Sequence, residues 1–267
     1  MKTKVIYIAG VARSGTSWIG QVINSHPKVR YQFQPLFSYE FRGKINEESS
    51  SEEFNVFFEE LFNADSEFLG QKDKIAQGVY PDFNKDNPNI LAFKENRFQS
   101  VIAPMMRKAG QVHLVAIVRN PCAVLLSWTK NKSEFPEGAD LMKEWRFAEC
   151  KNQGPEDYFG YFKWKEVTNL YLDLKEQFPD RVTLLHYDKL LEAPEAGLKE
   201  MFNDLDLDYS KQTEGFVNAS TKGRGDNYYS VYTGGRNKDK WKTELPPSIV
   251  EEIHQDLKST RLERFLY

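Results

Sequence analysis

The chain has 267 residues, 40% hydrophobic and 14% aromatic, which is enough for a sizeable core and argues against wholesale disorder. Thirty-six Lys and Arg stand against 39 Asp and Glu, a formal net charge of −3. That balance excludes a globally basic nucleic-acid or anionic-membrane binder, so any basic site must be local. Two cysteines, Cys122 and Cys150, lack CxxC spacing, and His26, His113, His186 and His254 lack any metal-ligand spacing. They read as reduced thiols and structural histidines, with neither a disulfide framework nor a metal site. Met1–Lys4 leads straight into a short apolar run, and no stretch approaches the roughly 20 apolar residues of a membrane span. The expectation is a soluble, cytoplasmic protein.

Taken in chain order, Val5-Ile6-Tyr7-Ile8-Ala9 predicts a buried strand and Trp18–Ile23 a helix. Between them lies Gly10-Val11-Ala12-Arg13-Ser14-Gly15-Thr16-Ser17. Glycines there let backbone N–H groups turn inward around an anion, and the following helix offers its positive end. The phosphate-binding pattern G-x-x-x-x-G-K-[ST] would place lysine at Thr16. The only cation is Arg13, so the loop suits a phosphate or sulfate but lacks the lysine that holds the β/γ-phosphates of ATP.

Residues 44–75 are acidic and Ser-rich, then aromatic through Phe54, Phe57 and Phe58, and read as a helical insertion or cover. Runs at 90–93, 112–118 and 182–187 predict three more buried strands. Helices are expected over 98–109, from the cap Asn120-Pro121 through Trp128, and over 158–178. The Gly-rich stretch 218–240 reads as a mobile loop. The alternation predicts one α/β domain over 1–267, a three-layer α/β/α architecture with a central parallel sheet of the P-loop-NTPase type. Arg119 falls at the carboxyl end of a strand, where open sheets bind ligands, with Ser127 about two helical turns beyond it. An arginine fork and a hydroxyl so placed can share one phosphate.

The loop with Arg-Ser-Gly-Thr, the Arg119-Asn120-Pro121…Ser127 spacing, Tyr187-Asp188 and Gly234–Lys242 resemble, in order, the donor-site motifs of sulfotransferases. The donor of that family is 3′-phosphoadenosine 5′-phosphosulfate (PAPS), with adenosine 3′,5′-bisphosphate (PAP) as product and no metal. The resemblance implies that Ser14, Gly15, Thr16, Ser17 and Trp18 contact the 5′-phosphosulfate and that Arg13 stabilises charge on the bridging oxygen. It implies that Arg119 and Ser127 hold the 3′-phosphate, with Tyr187 near the adenine. Arg236, or alternatively Lys240, closes the Gly-rich loop over that phosphate.

The acceptor hydroxyl needs a base. Where cytosolic members carry Lys-Thr-His this chain has Lys94-Glu95-Asn96, and where carbohydrate members carry Glu-Pro-Leu it has Gln34-Pro35-Leu36. Glu95 is the expected base, with Glu40 or no base as alternatives, and Lys94 is expected to help bind donor or acceptor. The stretch Arg30–Phe37 resembles the carbohydrate branch and favours a sugar hydroxyl, with a lipid or small alcohol open. Trp128, Trp145 and Trp164 can stack on a glycan or fill the core. A P-loop kinase or NTPase and a non-catalytic nucleotide-binding protein are the rival readings.

Overall fold

The computed structural model describes residues 3–223, 231 and 238–267. Five strands, β1 (Lys4–Ala9), β2 (Val29–Phe33), β3 (Ile90–Glu95), β4 (Val112–Val118) and β5 (Val182–His186), form one parallel sheet in the order β2-β3-β1-β4-β5. The helices that matter here are α1 (Thr16–Asn24), α2 (Ser51–Asn63), α3 (Ile102–Lys108), α4 (Pro121–Thr129) and α5 (Gly160–Gln177). They are followed by α6 (Pro194–Asp204), α7 (Lys211–Lys222) and α8 (Pro247–Leu257).

Continuous apolar runs need cover on both faces, and β4 is buried at all seven positions. Strand alternation sends Val5, Tyr7, Phe93, Leu114 and Ala116 to one face, where α2, α3, α4, α5 and α8 bury them. Ile6, Ile8, Ala92, Val115 and Ile117 point to the other, under α1, α6 and α7. The three layers follow from that division.

Sequence patterning missed β2. Its polar residues are structural: Arg30 donates to Ala64 O at 2.6 Å and Gln32 to Leu61 O at 2.9 Å, which satisfies carbonyls at the end of α2. The acidic run before α2 is its capped start, with Ser50 and Glu53 forming a reciprocal capping box. Phe54, Phe57, Phe58 and Leu61 are buried, and the Phe57 ring meets Phe93 edge-on at 6.0 Å. Burying each such side chain is worth roughly 1.5–3 kcal/mol.

Two boundaries differ from expectation. β3 runs two residues further than the apolar pattern, through Lys94 and Glu95, because both are buried despite their charge. The stretch 218–240, expected as a loop, begins as the last turn of α7; residues 224–230 and 232–237 lie outside the described part. Among the described residues no helix is long and apolar enough to cross a membrane.

Candidate active site

The sheet order reverses at β1, which has β3 on one side and β4 on the other. Ligands bind at the carboxyl ends of strands beside such a switch point. A cavity of about 650 Å³ opens there, lined from β1 by Ala12–Arg13 and Gly15–Trp18, from β3 by Lys94, Asn96 and Arg97, from β4 by Arg119 and Ser127, and from β5 by Tyr187.

The loop after β1 is built for close approach. A Cβ on Gly10 would lie 2.9 Å from Ile117 O. Gly15 has φ +100° and presents its bare face to the Tyr187 ring, 2.2 Å from where a Cβ would sit. Only glycine fits there. Gly15 also caps α1, so no side chain satisfies the first amides of that helix, which leaves its positive end to the cavity. Arg13 is left-handed at φ 72°. Its Nε donates to Ser127 Oγ at 3.1 Å, which ties the loop to α4.

The second anchor is Arg119. Its Nη1 donates to Arg13 O at 3.0 Å and its guanidinium lies 5.4 Å from the Tyr187 ring centroid. The Arg119 Nε is buried without a hydrogen-bond acceptor, and Asp188 Oδ1 stands off at 3.9 Å. Position follows from the strand end: Asn120 accepts from Cys122 N and Ala123 N as the cap of α4, and Asp188 accepts from Asn120 N at 2.8 Å. An orphaned guanidinium N–H beside an uncapped helix start fits a phosphate-bearing ligand.

Lys94 is buried on the cavity wall, its Nζ 3.4 Å from Ser17 Oγ and 4.5 Å from the Phe33 ring centroid. Burial pushes its pKa down to about 7. Thr16, in the place of the usual lysine, donates to Asn96 Oδ1 at 3.1 Å. Trp18 lines the cavity, with its Nε1 donating to Ser220 at 3.0 Å.

Several expected residues stand elsewhere. Glu95 is fully buried and absent from the cavity wall, because strand alternation turns it to the opposite face from Lys94. Its carboxylate accepts from Leu36 N and Asn96 N, each at 3.2 Å, and holds the turn that follows β2. It is therefore not placed to take a proton from a molecule in the cavity. Glu40 is exposed and also off the wall. Ser14 is buried and donates to Val11 O at 2.7 Å, so it shapes the loop from behind. Lys240 is exposed, at the start of a short helix over Trp241–Glu244, and does not line the cavity. Arg236 lies outside the described residues.

Trp128, Trp145 and Trp164 are 1–2% exposed core residues, which leaves no face for a sugar. His113 is likewise internal, 2.9 Å from Thr183 Oγ1, and burial lowers its pKa to about 4. Among the described residues no cluster of His, Cys, Asp or Glu is placed to hold a metal ion.

The family model described as "Sulfotransferase domain" matches residues 3–265. The chain belongs to this sulfotransferase family. A search of curated proteins finds no match. Among solved structures, a mouse sulfotransferase complexed with PAP superposes with a TM-score of 0.58 at 14% identity, covering 98% of this chain and 88% of that one. A retinol dehydratase in complex with androsterone and inactive cofactor PAP gives 0.56 at 14% identity, covering 98% and 83%. A sulfotransferase from Alicyclobacillus acidocaldarius gives 0.53 at 12% identity, covering 98% and 94%. The shared fold is the P-loop-NTPase-like parallel sheet flanked by helices.

The sulfotransferase chain also brings residues to the cavity that sequence reasoning missed: Lys74, Tyr80, Glu134, Lys151, Asp157 and Phe159. They come from the long stretches between β2 and β3 and between β4 and β5, in no motif and at no fixed spacing. Arg97 is held by Asp157 at 2.5 Å and lies over Phe37, 4.9 Å from its centroid. The sequence had pointed to Asn96 in the place of histidine and to the stretch Arg30–Phe37, from which Phe33, Gln34 and Phe37 reach the wall.

Proposed function

We propose that this protein transfers a sulfuryl group from PAPS to an acceptor hydroxyl, releasing PAP. The observation that carries the reading is the convergence of Arg119, with its buried and unpartnered Nε, on the loop of Arg13 and the uncapped start of α1. An arginine and an uncapped helix start on one cavity suit a nucleotide that carries two phosphate groups.

In this reading Arg119 and Ser127 bind the 3′-phosphate, and the loop amides with Thr16 and Ser17 bind the 5′ side. Arg13 stabilises the charge that develops on the bridging oxygen, a role suited to a permanently charged donor. Tyr187 lines the cavity next to Gly15 and Arg119, which supports its place beside the adenine. Lys94, beside Ser17, supplies positive charge to the phosphosulfate. The lysine expected of an ATP-binding loop is replaced by Thr16, whose hydroxyl is tied to Asn96, which disfavours a kinase.

For the acceptor we keep a small hydroxyl compound, a sugar or another alcohol, with Phe33, Phe37, Tyr80 and Phe159 to hold its body. The retinol dehydratase structure contains androsterone, a hydroxyl-bearing acceptor-sized molecule, which is in keeping with this range. The test is a screen of sugars, sterols and simple alcohols with radiolabelled PAPS, run beside Arg119→Ala. Labelled product with one acceptor class, and a loss of about 2–4 kcal/mol in PAP affinity in the variant, are expected. Unchanged PAP affinity in Arg119→Ala would remove the 3′-phosphate assignment, and tight PAP binding with no transfer to any acceptor would favour a non-catalytic binding protein.

A further inference from the structure

We infer that Glu134 is the general base that takes the proton from the attacking hydroxyl, an inference that rests on the sulfotransferase reading above. Two carboxylates line the cavity among the described residues, Glu134 and Asp157. Asp157 is committed: one oxygen pairs with Arg97 at 2.5 Å and the other accepts from Gln153 N at 3.1 Å and Gly154 N at 3.3 Å. None of the four histidines reaches the wall. Glu134 is different: its side chain keeps 21% of its surface exposed on the cavity wall, while its Oε2 is tucked 4.0 Å from Arg13 Nε without a hydrogen-bond donor. A carboxylate that reaches the wall with no donor committed to it is what proton abstraction requires.

The backbone under Glu134 is fixed. Its N–H donates to Asn131 O at 2.9 Å, its carbonyl accepts from Trp128 Nε1 at 3.1 Å, and Phe135 packs edge-on against Trp128 at 4.9 Å. The carboxylate is thus presented from the turn that leaves α4, while Arg13 comes from the loop after β1. Glu134 and Arg13, the charge stabiliser of the reading above, thus stand side by side, and Ser127 accepts from the same Arg13 Nε. Lys94 approaches from the β3 wall, where its neighbours are Ser17 and Phe33.

The acceptor oxygen forms a bond to sulfur as the bond from sulfur to the bridging oxygen of PAPS breaks. The electron pair of the broken bond goes to that oxygen, now part of the 5′-phosphate of PAP, beside Arg13. The hydroxyl proton goes to Glu134 and from there to solvent, leaving a sulfate ester. With water as acceptor the same step gives sulfate and PAP.

The test uses the full chain, PAPS as donor and water as acceptor, reading sulfate release, with PAP affinity measured in parallel. Glu134→Gln is expected to bind PAP within about twofold of wild type and to release sulfate roughly 100-fold more slowly or less. Glu134→Asp, which keeps a carboxylate one methylene shorter, should recover part of the rate; a role in packing alone would not distinguish Asp from Gln in this way. Normal sulfate release by Glu134→Gln, or collapse in Lys94→Met with Glu134→Gln unaffected, overturns the inference while the donor-site reading stands. So does a wild type that binds PAP tightly yet releases no sulfate. A wild type that fails to bind PAP at all overturns the reading itself, and the inference with it.

Discussion

Lys94 and Glu95 are consecutive in β3, yet one faces the cavity and the other faces the core beneath Leu36. Burial acts on both, pushing the lysine down to about 7 and the carboxyl up to about 7. For Glu95 the folded chain holds its proton more tightly than the unfolded one, whose value is near 4.5. The stability it contributes is therefore complete below about pH 4.5 and is lost as pH rises toward 7. Lys94 works in another window: it is neutralised early in the folded chain, so stability rises with pH between about 7 and 10.5. Glu95→Gln should remove the first dependence. Thermal melts of wild type and variant should converge or cross as pH rises from 5 to 7, and turnover should stay within about threefold because the side chain is off the cavity wall. A 100-fold loss of turnover with unchanged PAP affinity would restore Glu95 as a base. In PAP titrations, affinity should weaken as pH rises past about 7, and Lys94→Met should flatten that slope.

At the scale of elements, the loop after β1 and the cap of α4 carry the most weight. Gly15→Ala places a side chain at φ +100° against the Tyr187 ring, so a cost of about 1–3 kcal/mol in stability and at least a tenfold loss of PAP affinity are expected. Wild-type behaviour in that variant would mean that the loop and Tyr187 do not meet as described. Asn120→Ala removes a cap and a contact to Leu266 O at 2.8 Å, for about 1–2 kcal/mol measured by denaturant unfolding. Both elements were legible from sequence because their signals are local: a glycine pair after an apolar run, and Asn-Pro at a helix start. β2 was not, because Arg30 and Gln32 interrupt its apolar pattern in order to bond carbonyls of α2 that are distant in sequence. The facing of Lys94 and Glu95 was hidden for a related reason: the apolar run stops at Phe93 and gives no register for the charged residues beyond it.

Across the whole molecule, the sheet order gathers five sequence-distant segments at one end of the strands. The donor half of that cavity could be read from motif order, since the motifs at Gly10–Ser17, Arg119 and Tyr187 each directly follow a strand. The other half could not. Lys74, Tyr80, Glu134 and Asp157 come from connections whose path depends on tertiary packing, and no spacing rule joins them. Arg13, Lys74, Lys94, Arg97, Arg119 and Lys151 surround the cavity against two carboxylates, in a chain whose net charge is −3. PAP affinity should therefore fall as ionic strength rises, with the screening expected of an anion in a partly open basic site. The measurement that goes most directly to the donor site is calorimetric titration with PAP, set against 5′-AMP and against ATP with and without magnesium. Metal-independent binding of PAP, lost by roughly 2 kcal/mol or more when the 3′-phosphate is missing, is the expected result. Binding that ignores the 3′-phosphate, or that prefers magnesium–ATP, would contradict the assignment of Arg119 and the sulfuryl-transfer reading built on it.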